Sequence, residues 1–493
     1  MGREASANAS SPVAIEASAR WLAVMVLCLG VLMVVVDTTI VIVALPAIQV
    51  SLGFTQGSLV WVTSAYMLAF GGSLLLAGRL GDIFGPGRQF VVGAALFTLA
   101  SVACGLANSA SFLIAGRAVQ GVGGAIVVAV ALSLIMRLFT DRVERAKALG
   151  VYGFVCAGGG TIGLLAGGAL TSALSWHWVF LVNLPVGVAV CAFAGRLLSG
   201  IRGAGESRRL DIWGGATVTA SLVLANYAIV NGNGFGWSSP ATLSLLSGAC
   251  ALLIAFLVLE SRVSEPLVPL RIFRVRSLTI SNVVRVLWAT SSCIWSFYCA
   301  LYLQLVLAYG PMQVAMVTLP ASVATAFFAL GFSAAIVRRF GTRGPLTFGL
   351  LLVATGLALL SRVPVAGHIA VDLLPGVILL GIGTGIAFNP LLIVAMSDVT
   401  PEDSGLASGL VNTVSTLGGA LGLALVVTLC SAYTQSLLAE GVTTREALAG
   451  GYRVAFLTGA VSAAVAASIS AAFLGRSKKK EEAAPVVDTP LAS

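Results

Sequence analysis

Apolar runs of about 20 residues, separated by short polar or arginine-bearing breaks, repeat along nearly the whole chain. A hydrocarbon core about 30 Å thick takes roughly 20 apolar helical residues to cross. About fourteen stretches meet that length, near 21–45, 57–78, 89–108, 111–138, 147–170, 177–198, 212–231, 241–260, 278–308, 312–337, 345–362, 369–396, 404–432 and 452–474. Helices are the physical choice, because every backbone polar group in lipid must find its partner within its own segment. The pattern predicts an all-α polytopic membrane protein.

Composition agrees: 58% hydrophobic and 10% charged residues, with a mean hydropathy of +1.01, exclude an ordinary soluble globule. Basic residues then orient the chain. Arg79, Arg88, Arg142, Arg145, Lys147, Arg202, Arg208, Arg209, Arg271, Arg274, Arg276, Arg338, Arg339 and Arg343 fall in alternate breaks. The tails join them through Arg3, Arg20, Arg476 and Lys478 to Lys480, while the opposite breaks hold only Arg362, Arg445 and Arg453. Both termini are therefore expected to be cytoplasmic, in a multi-pass protein of the inner or cytoplasmic membrane. Arginine in excess of lysine points to a GC-rich bacterial genome. The net charge of +9 follows from this topology and calls for no nucleic acid. The first 20 residues are polar and small, a tail rather than a cleavable signal. All eight cysteines lie in predicted spans without metal-ligand spacing and read as small buried hydrophobes.

Two arginine-rich connectors, about Arg196–Asp211 and Arg262–Ser277, divide the spans into six, two and six. The expected units are a tail at 1–20, a six-helix bundle at 21–200, two additional helices at 201–262, a second six-helix bundle at 263–475 and a tail at 476–493. Halves of six spans are what a transporter built from structural repeats requires. Two echoes support a repeat. Gly78 to Arg88, joining spans 2 and 3, is matched by Arg338 to Gly344 between spans 10 and 11. Gly121-Val122-Gly123-Gly124 in span 4 is matched by Gly381-Ile382-Gly383-Thr384-Gly385 in span 12.

Asp37 is the one carboxylate deep inside an apolar segment, near the outer end of span 1. Charge in lipid is expensive, so an intramembrane acid is a functional candidate by default. It lies 16 residues from the cytoplasmic start of its span, roughly 25 Å along the axis, and Arg117 lies roughly 9 Å below the outer surface in span 4. The two land at similar depth, and pairing would lower the cost of both charges and keep the carboxylate ionised until substrate or water disturbs it. A purely structural ion pair is the alternative reading.

Glycines recur in span 5, including Gly159, Gly163, Gly167 and Gly168, and with Gly121 they permit close helix packing or a conformational hinge. Arg285 lies deeper in span 9 than a connector residue should, either snorkelling to the interface or lining a cavity that attracts anions. Trp61, Tyr66, Gln120, Trp288, Trp295, Phe297, Tyr298, Gln304, Phe388, Asn389 and Asn412 are candidates for an amphipathic substrate cavity, with packing or interface anchoring as the plainer role of single aromatics. His177 and His368 are the only histidines, no metal spacing or nucleophile elbow occurs, and no phosphate-binding loop is present, so no metal, cofactor or enzyme activity is expected.

Taken together, these segments resemble the fourteen-span drug:proton antiporter branch of the major facilitator superfamily over about residues 21–474. Asp37 to Pro46 is similar to that branch's first-span motif, with Asp37 at its acidic position. Gly78 to Arg88 resembles the superfamily's loop motif, implying a gating role for Gly78, Asp82, Gly85 and Arg88. Arg117 to Gly124 resembles the span-4 motif associated with proton transfer, and Ser175 to Gly187 is similar to a run typical of the branch. Three departures stand out. The span-5 Gly-Pro pair is Gly163-Leu164 here, and Pro86 and Gly87 replace basic residues of the loop motif. Span 13 carries no acid beyond Asp403 at its boundary, which argues against strongly dicationic substrates.

The resemblance implies a proton-driven exporter of amphipathic drugs or antibiotics, working by alternating access as a monomer in the lipid bilayer. Its partners are a small-molecule substrate and protons, and the proton gradient stands in place of a cofactor. Asp37 would carry the proton with Arg117 beside it, substrate and proton competing through that site, and spans 7 and 8 would be peripheral. The rival readings are an importer or uniporter of a small metabolite and a non-transporting membrane sensor.

Overall fold

The computed structural model describes residues 17–139, 141–198, 211–263, 268, 271, 275–365, 368–397 and 404–473, and these are almost entirely helical. The helices are α1 Ala17–Leu52, α2 Trp61–Phe84, α3 Pro86–Gly105, α4 Ala110–Leu138, α5 Arg142–Ala173, α6 Asn183–Leu197 and α7 Ile212–Phe235. They continue as α8 Pro240–Arg262, α9 Arg276–Leu301, α10 Pro311–Phe327, α11 Arg343–Leu360, α12 Leu374–Met396, α13 Ser404–Ala439 and α14 Thr444–Phe473. Among the described residues, thirteen candidate spans are long and apolar enough to cross a membrane. The shorter α10 occupies the place of the expected tenth span and runs on through a π-helical turn, Phe328–Phe332, into Ser333–Phe340.

The first span extends beyond its expected end at residue 45. Pro46 removes one ladder bond, yet α1 continues because Ile48 beyond it is fully buried in the core. Asp37, 20 residues from Ala17 and 15 from Leu52, therefore sits near the middle of α1 rather than near an end. The expected loop between spans 2 and 3 contracts to one residue. Gly78 and Asp82 lie on α2, although the Asp82 side chain lies outside the described residues, and Arg88 stands exposed in the first turn of α3. The helix has no reason to stop earlier, since glycine is tolerated within membrane spans. What stops it is Gly85 (φ 92°) followed by Pro86 at the first position of α3.

Gly341 (φ 74°) turns the chain into α11, as Gly85 turns it into α3. Both values lie where a Cβ is penalised. Gly85→Ala and Gly341→Ala are each expected to cost about 1–2 kcal/mol, within the range for backbone strain of this kind. Thermal melting of the purified variants checks this, with Gly78→Ala as a silent control because a Cβ there meets open space.

Helices α1 to α6 pack among themselves, and α9 to α14 do likewise. The close approaches recur between the two sets. Gly121 lies against the Tyr66 backbone of α2, and Gly381 against the Ala321 backbone of α10. Gly123 presses on Gly93 and Phe97 of α3, and Gly383 on Gly349 and Val353 of α11. Between the sets, Gln304 donates to the Val43 carbonyl (2.9 Å), the Met312 amide donates to the Ser172 hydroxyl (3.3 Å), and Gly71 of α2 lies against Leu417 of α13.

Span 7 is less peripheral than expected. α7 packs against both α2 and α13, so it bridges the two sets, while α8 rests mainly on α7. Asn233 of α7 donates to the Thr428 carbonyl (2.6 Å), and Thr428 donates back to the Ile229 carbonyl (2.9 Å). Cys250 on α8 is exposed rather than buried, because most of α8 has no helix over it.

Candidate functional site

Asp37 is fully buried, and three side chains converge on its carboxylate. Arg117 Nη1 of α4 donates to Oδ2 at 2.5 Å, Gln120 Nε2 of α4 to Oδ1 at 2.7 Å, and Asn183 Nδ2 of α6 to Oδ1 at 3.0 Å. Arg117 and Gln120 are three residues apart on one helix, so they share a face. A further layer fixes these donors. The Ser101 hydroxyl of α3 accepts from Gln120 (2.7 Å) and Asn183 (3.3 Å), and Gln120 Oε1 accepts from Arg117 Nη1 (2.6 Å). Arg117 Nε donates to the Val62 carbonyl of α2 at 3.0 Å, and the Tyr66 ring lies 4.3 Å from the guanidinium carbon. Five helices thus meet at one ion pair.

The energetics depend on completeness. A buried charge pair is tolerated only where hydrogen bonds satisfy its remaining donors and acceptors. Both carboxylate oxygens of Asp37 are engaged here, and the guanidinium also carries an aromatic face. Among the described residues, the second set of helices has no such cluster. Val377 stands four residues before Gly381 as Arg117 does before Gly121, and Leu380 one before it as Gln120 does. Leu357, eight residues after Gly349, takes the place that Ser101 holds after Gly93. All three are buried in apolar core beside Ile294. The packing repeats; among the described residues the buried ion pair occurs once.

A cavity of about 140 Å³ opens between α1, α5, α9 and α10. Its wall includes Thr39, Ile42 and Val43 of α1, Trp295 and Ser296 of α9, and Thr318 and Ser322 of α10. Asp37 is not part of it. Two residues before Thr39 lie about 200° around the helix, so the carboxylate and the cavity occupy different sides of α1. The span-5 glycines hold α5 against this same stretch: Gly159 meets Val35, Gly163 meets Thr39 and the Val36 carbonyl, and Gly167 meets the Ile40 carbonyl. Gly168 instead faces Met312 and Ala315 of α10.

The expected cavity residues scatter. Tyr66 and Gln120 belong to the Asp37 cluster, and Trp61 packs on Tyr227 of α7 at 6.2 Å. Tyr298 pairs with Tyr452 at 5.2 Å beside Gln56 in a small second pocket. Gln304 ties α9 to α1, Asn389 donates to the Ala329 carbonyl (2.7 Å), and Asn412 is exposed. Trp288 packs on Phe388 at 6.3 Å. Of the aromatics considered, Trp295 lines the larger cavity. Asn183 and Ser101 were not anticipated as site residues; the signal for Asn183 was its place in the Ser175–Gly187 run. His177 stacks on Trp176 at 3.8 Å, and burial holds its imidazole below its ordinary pKa. Among the described residues, no three His, Cys, Asp or Glu side chains are grouped as a metal site would need.

The sequence model described as Major Facilitator Superfamily matches residues 27–423. A puromycin resistance protein of Streptomyces alboniger is 39% identical over 435 residues, covering 88% of this chain and 86% of the relative. A cephamycin export protein of Amycolatopsis lactamdurans is 36% identical over 420 residues, covering 85% and 86%. Among solved structures, a bacterial homologue of the human lysosomal transporter Spinster, inward-facing and unoccupied, superposes with a TM-score of 0.67 at 18% identity. That match covers 92% of this chain and 97% of the other, and it concerns the fold.

Proposed function

Because the chain belongs to the major facilitator superfamily, we propose that it exports amphipathic drugs or antibiotics from the cell in exchange for protons. The observation that carries proton coupling is the fully buried Asp37, held by donors from two other helices on the side of α1 away from the cavity. The export direction rests on relatives named for resistance and export. The protein would sit in the cytoplasmic membrane with both termini inside, working as a monomer, and the proton gradient would supply the energy with no bound cofactor.

In this reading α1 is the coupling element. Ionised Asp37 draws α4 and α6 onto α1 through Arg117, Gln120 and Asn183. Protonation removes the charge and weakens all three ties. On its other side α1 presents Thr39, Ile42 and Val43 to the cavity, so a bound substrate and a bound proton favour different settings of one helix. Competition then passes through α1 rather than through shared space. Such coupling requires only that the two ligands prefer different states.

The test is antiport itself. Purified protein in weakly buffered detergent should release protons when a transported dye is added, and proteoliposomes should accumulate dye only against an opposing proton gradient. Transport that ignores the gradient, with no proton release, would favour the uniporter reading.

A further inference from the structure

Two arginines are buried within the described helices, and they are treated differently. Arg117 has a carboxylate, an amide oxygen, a backbone carbonyl and an aromatic face. Arg285 on α9 is only 6% exposed, has no ion pair among the described residues, and leaves its buried Nε without a hydrogen-bond partner. Its one described companion is the Trp288 ring, 6.0 Å away. A snorkelling arginine would be largely exposed at its head group; this residue keeps only 6% of its surface exposed.

The surrounding face is equally unsatisfied. Ser281 Oγ, both side-chain polar atoms of Asn282, and Trp288 Nε1 are buried without partners among the described residues. These positions are four and three residues before Arg285 and three after it, so all share one side of α9. Buried polar groups are normally paired, and an unpaired buried charge is costlier still. Four such residues within about two turns describe a recognition surface, and most of their free valences are donors. Eleven residues on from Arg285, three turns and within about 20° of the same direction, Ser296 forms part of the cavity wall. The Arg285 face therefore continues the cavity's own side of α9 toward the arginine-rich end.

We propose that Arg285, with Ser281, Asn282 and Trp288, binds an anionic group, a carboxylate or comparable oxyanion, carried by the amphipathic substrate. This rests on the export reading above and narrows it: the preferred cargo is an aromatic or aliphatic acid. The guanidinium supplies the charge and forked donors suited to a carboxylate, and the Trp288 indole flanks it with a donor and an apolar face. Such an assignment also agrees with the lack of an acid along α13 for recognising cations.

The test compares pyrenebutyric acid with its methyl ester, in full-length protein held in phosphatidylcholine nanodiscs. Arg285→Gln is expected to weaken acid binding roughly 10- to 100-fold, the range that hydrogen bonds to charged groups carry, and to leave ester binding within about twofold. Arg285→Lys should recover part of the acid affinity. Equal loss of both probes, or a lowered melting temperature with acid binding unchanged, would make Arg285 a structural residue and overturn the proposal. So would acid binding that disappears when phosphatidylglycerol is added to the disc, since the site would then belong to a lipid headgroup. Proton-driven ester export by wild type and variant alike isolates the outcome: if that export is absent in both, the export reading has failed, whereas acid selectivity is judged by binding alone.

Discussion

Asp37→Asn is expected to abolish proton-driven export while the protein still inserts and reaches the membrane. Asparagine keeps the size of the side chain, and the amides of Gln120 and Asn183 can reorient around a neutral partner. It cannot take up and give up a proton. Arg117 is then left buried without a counter-charge, and removing one member of a buried pair typically costs roughly 3–5 kcal/mol. A loss of export in the single variant could therefore reflect folding alone. Asp37→Asn combined with Arg117→Gln separates the two effects, because neutralising both members removes the stranded charge. The double variant should regain much of the melting temperature lost by the single one, the non-additivity expected of contacting residues, and still fail to export. Exchange of labelled for unlabelled dye, which needs no net proton movement, should persist in both. Recovery of gradient-driven export in the double variant would sink the proton-carrier role and leave a structural clasp.

Helix placement was legible because lipid imposes a length rule: thirteen candidate spans among the described residues fall where spans were expected, with α1 overrunning at Pro46, α13 running on to Ala439 and α14 starting early at Thr444. The Asp37–Arg117 pair was legible from depth alone, since two charges in hydrocarbon at one level have few other solutions. Which side each helix turns to which neighbour was not legible. α4 and α7 carry apolar residues on every side, so periodicity does not separate a core face from a lipid face. Gln120 consequently read as a cavity residue, although its spacing from Arg117 placed it on the ion-pair side. The cavity was sought among large aromatics, but space opens where side chains are small, as at Thr39, Ser296, Thr318 and Ser322. Unsatisfied hydrogen bonding of the kind found at Arg285 has no sequence signature at all.

Gly123→Val and Gly383→Val are expected to be comparably disruptive, although only one of them lies near titratable residues. A Cβ on Gly123 would meet the Phe97 backbone nitrogen at 2.6 Å and the Gly93 carbonyl at 3.0 Å. A Cβ on Gly383 would meet the Gly349 carbonyl at 2.6 Å and the Val353 nitrogen at 2.8 Å. Backbone cannot rotate away as a side chain can, so α4 must separate from α3, or α12 from α11. Overpacking of this kind costs about 1–3 kcal/mol or more, and loss of folded protein on size-exclusion chromatography is the expected result for each. Alanine at the same positions grades the effect, while Gly153→Val on α5 should be tolerated because a Cβ there meets open space. A milder effect at Gly383 than at Gly123 would mean that the second set of helices can loosen where the first cannot. An equal effect means that both sets are clamped alike. In that case the difference between them, a buried ion-pair cluster in one and Val377, Leu380 and Leu357 in the other, is a difference of chemistry laid on a common packing frame. The first set then holds the buried ion pair, and the second holds Arg285, unpaired among the described residues.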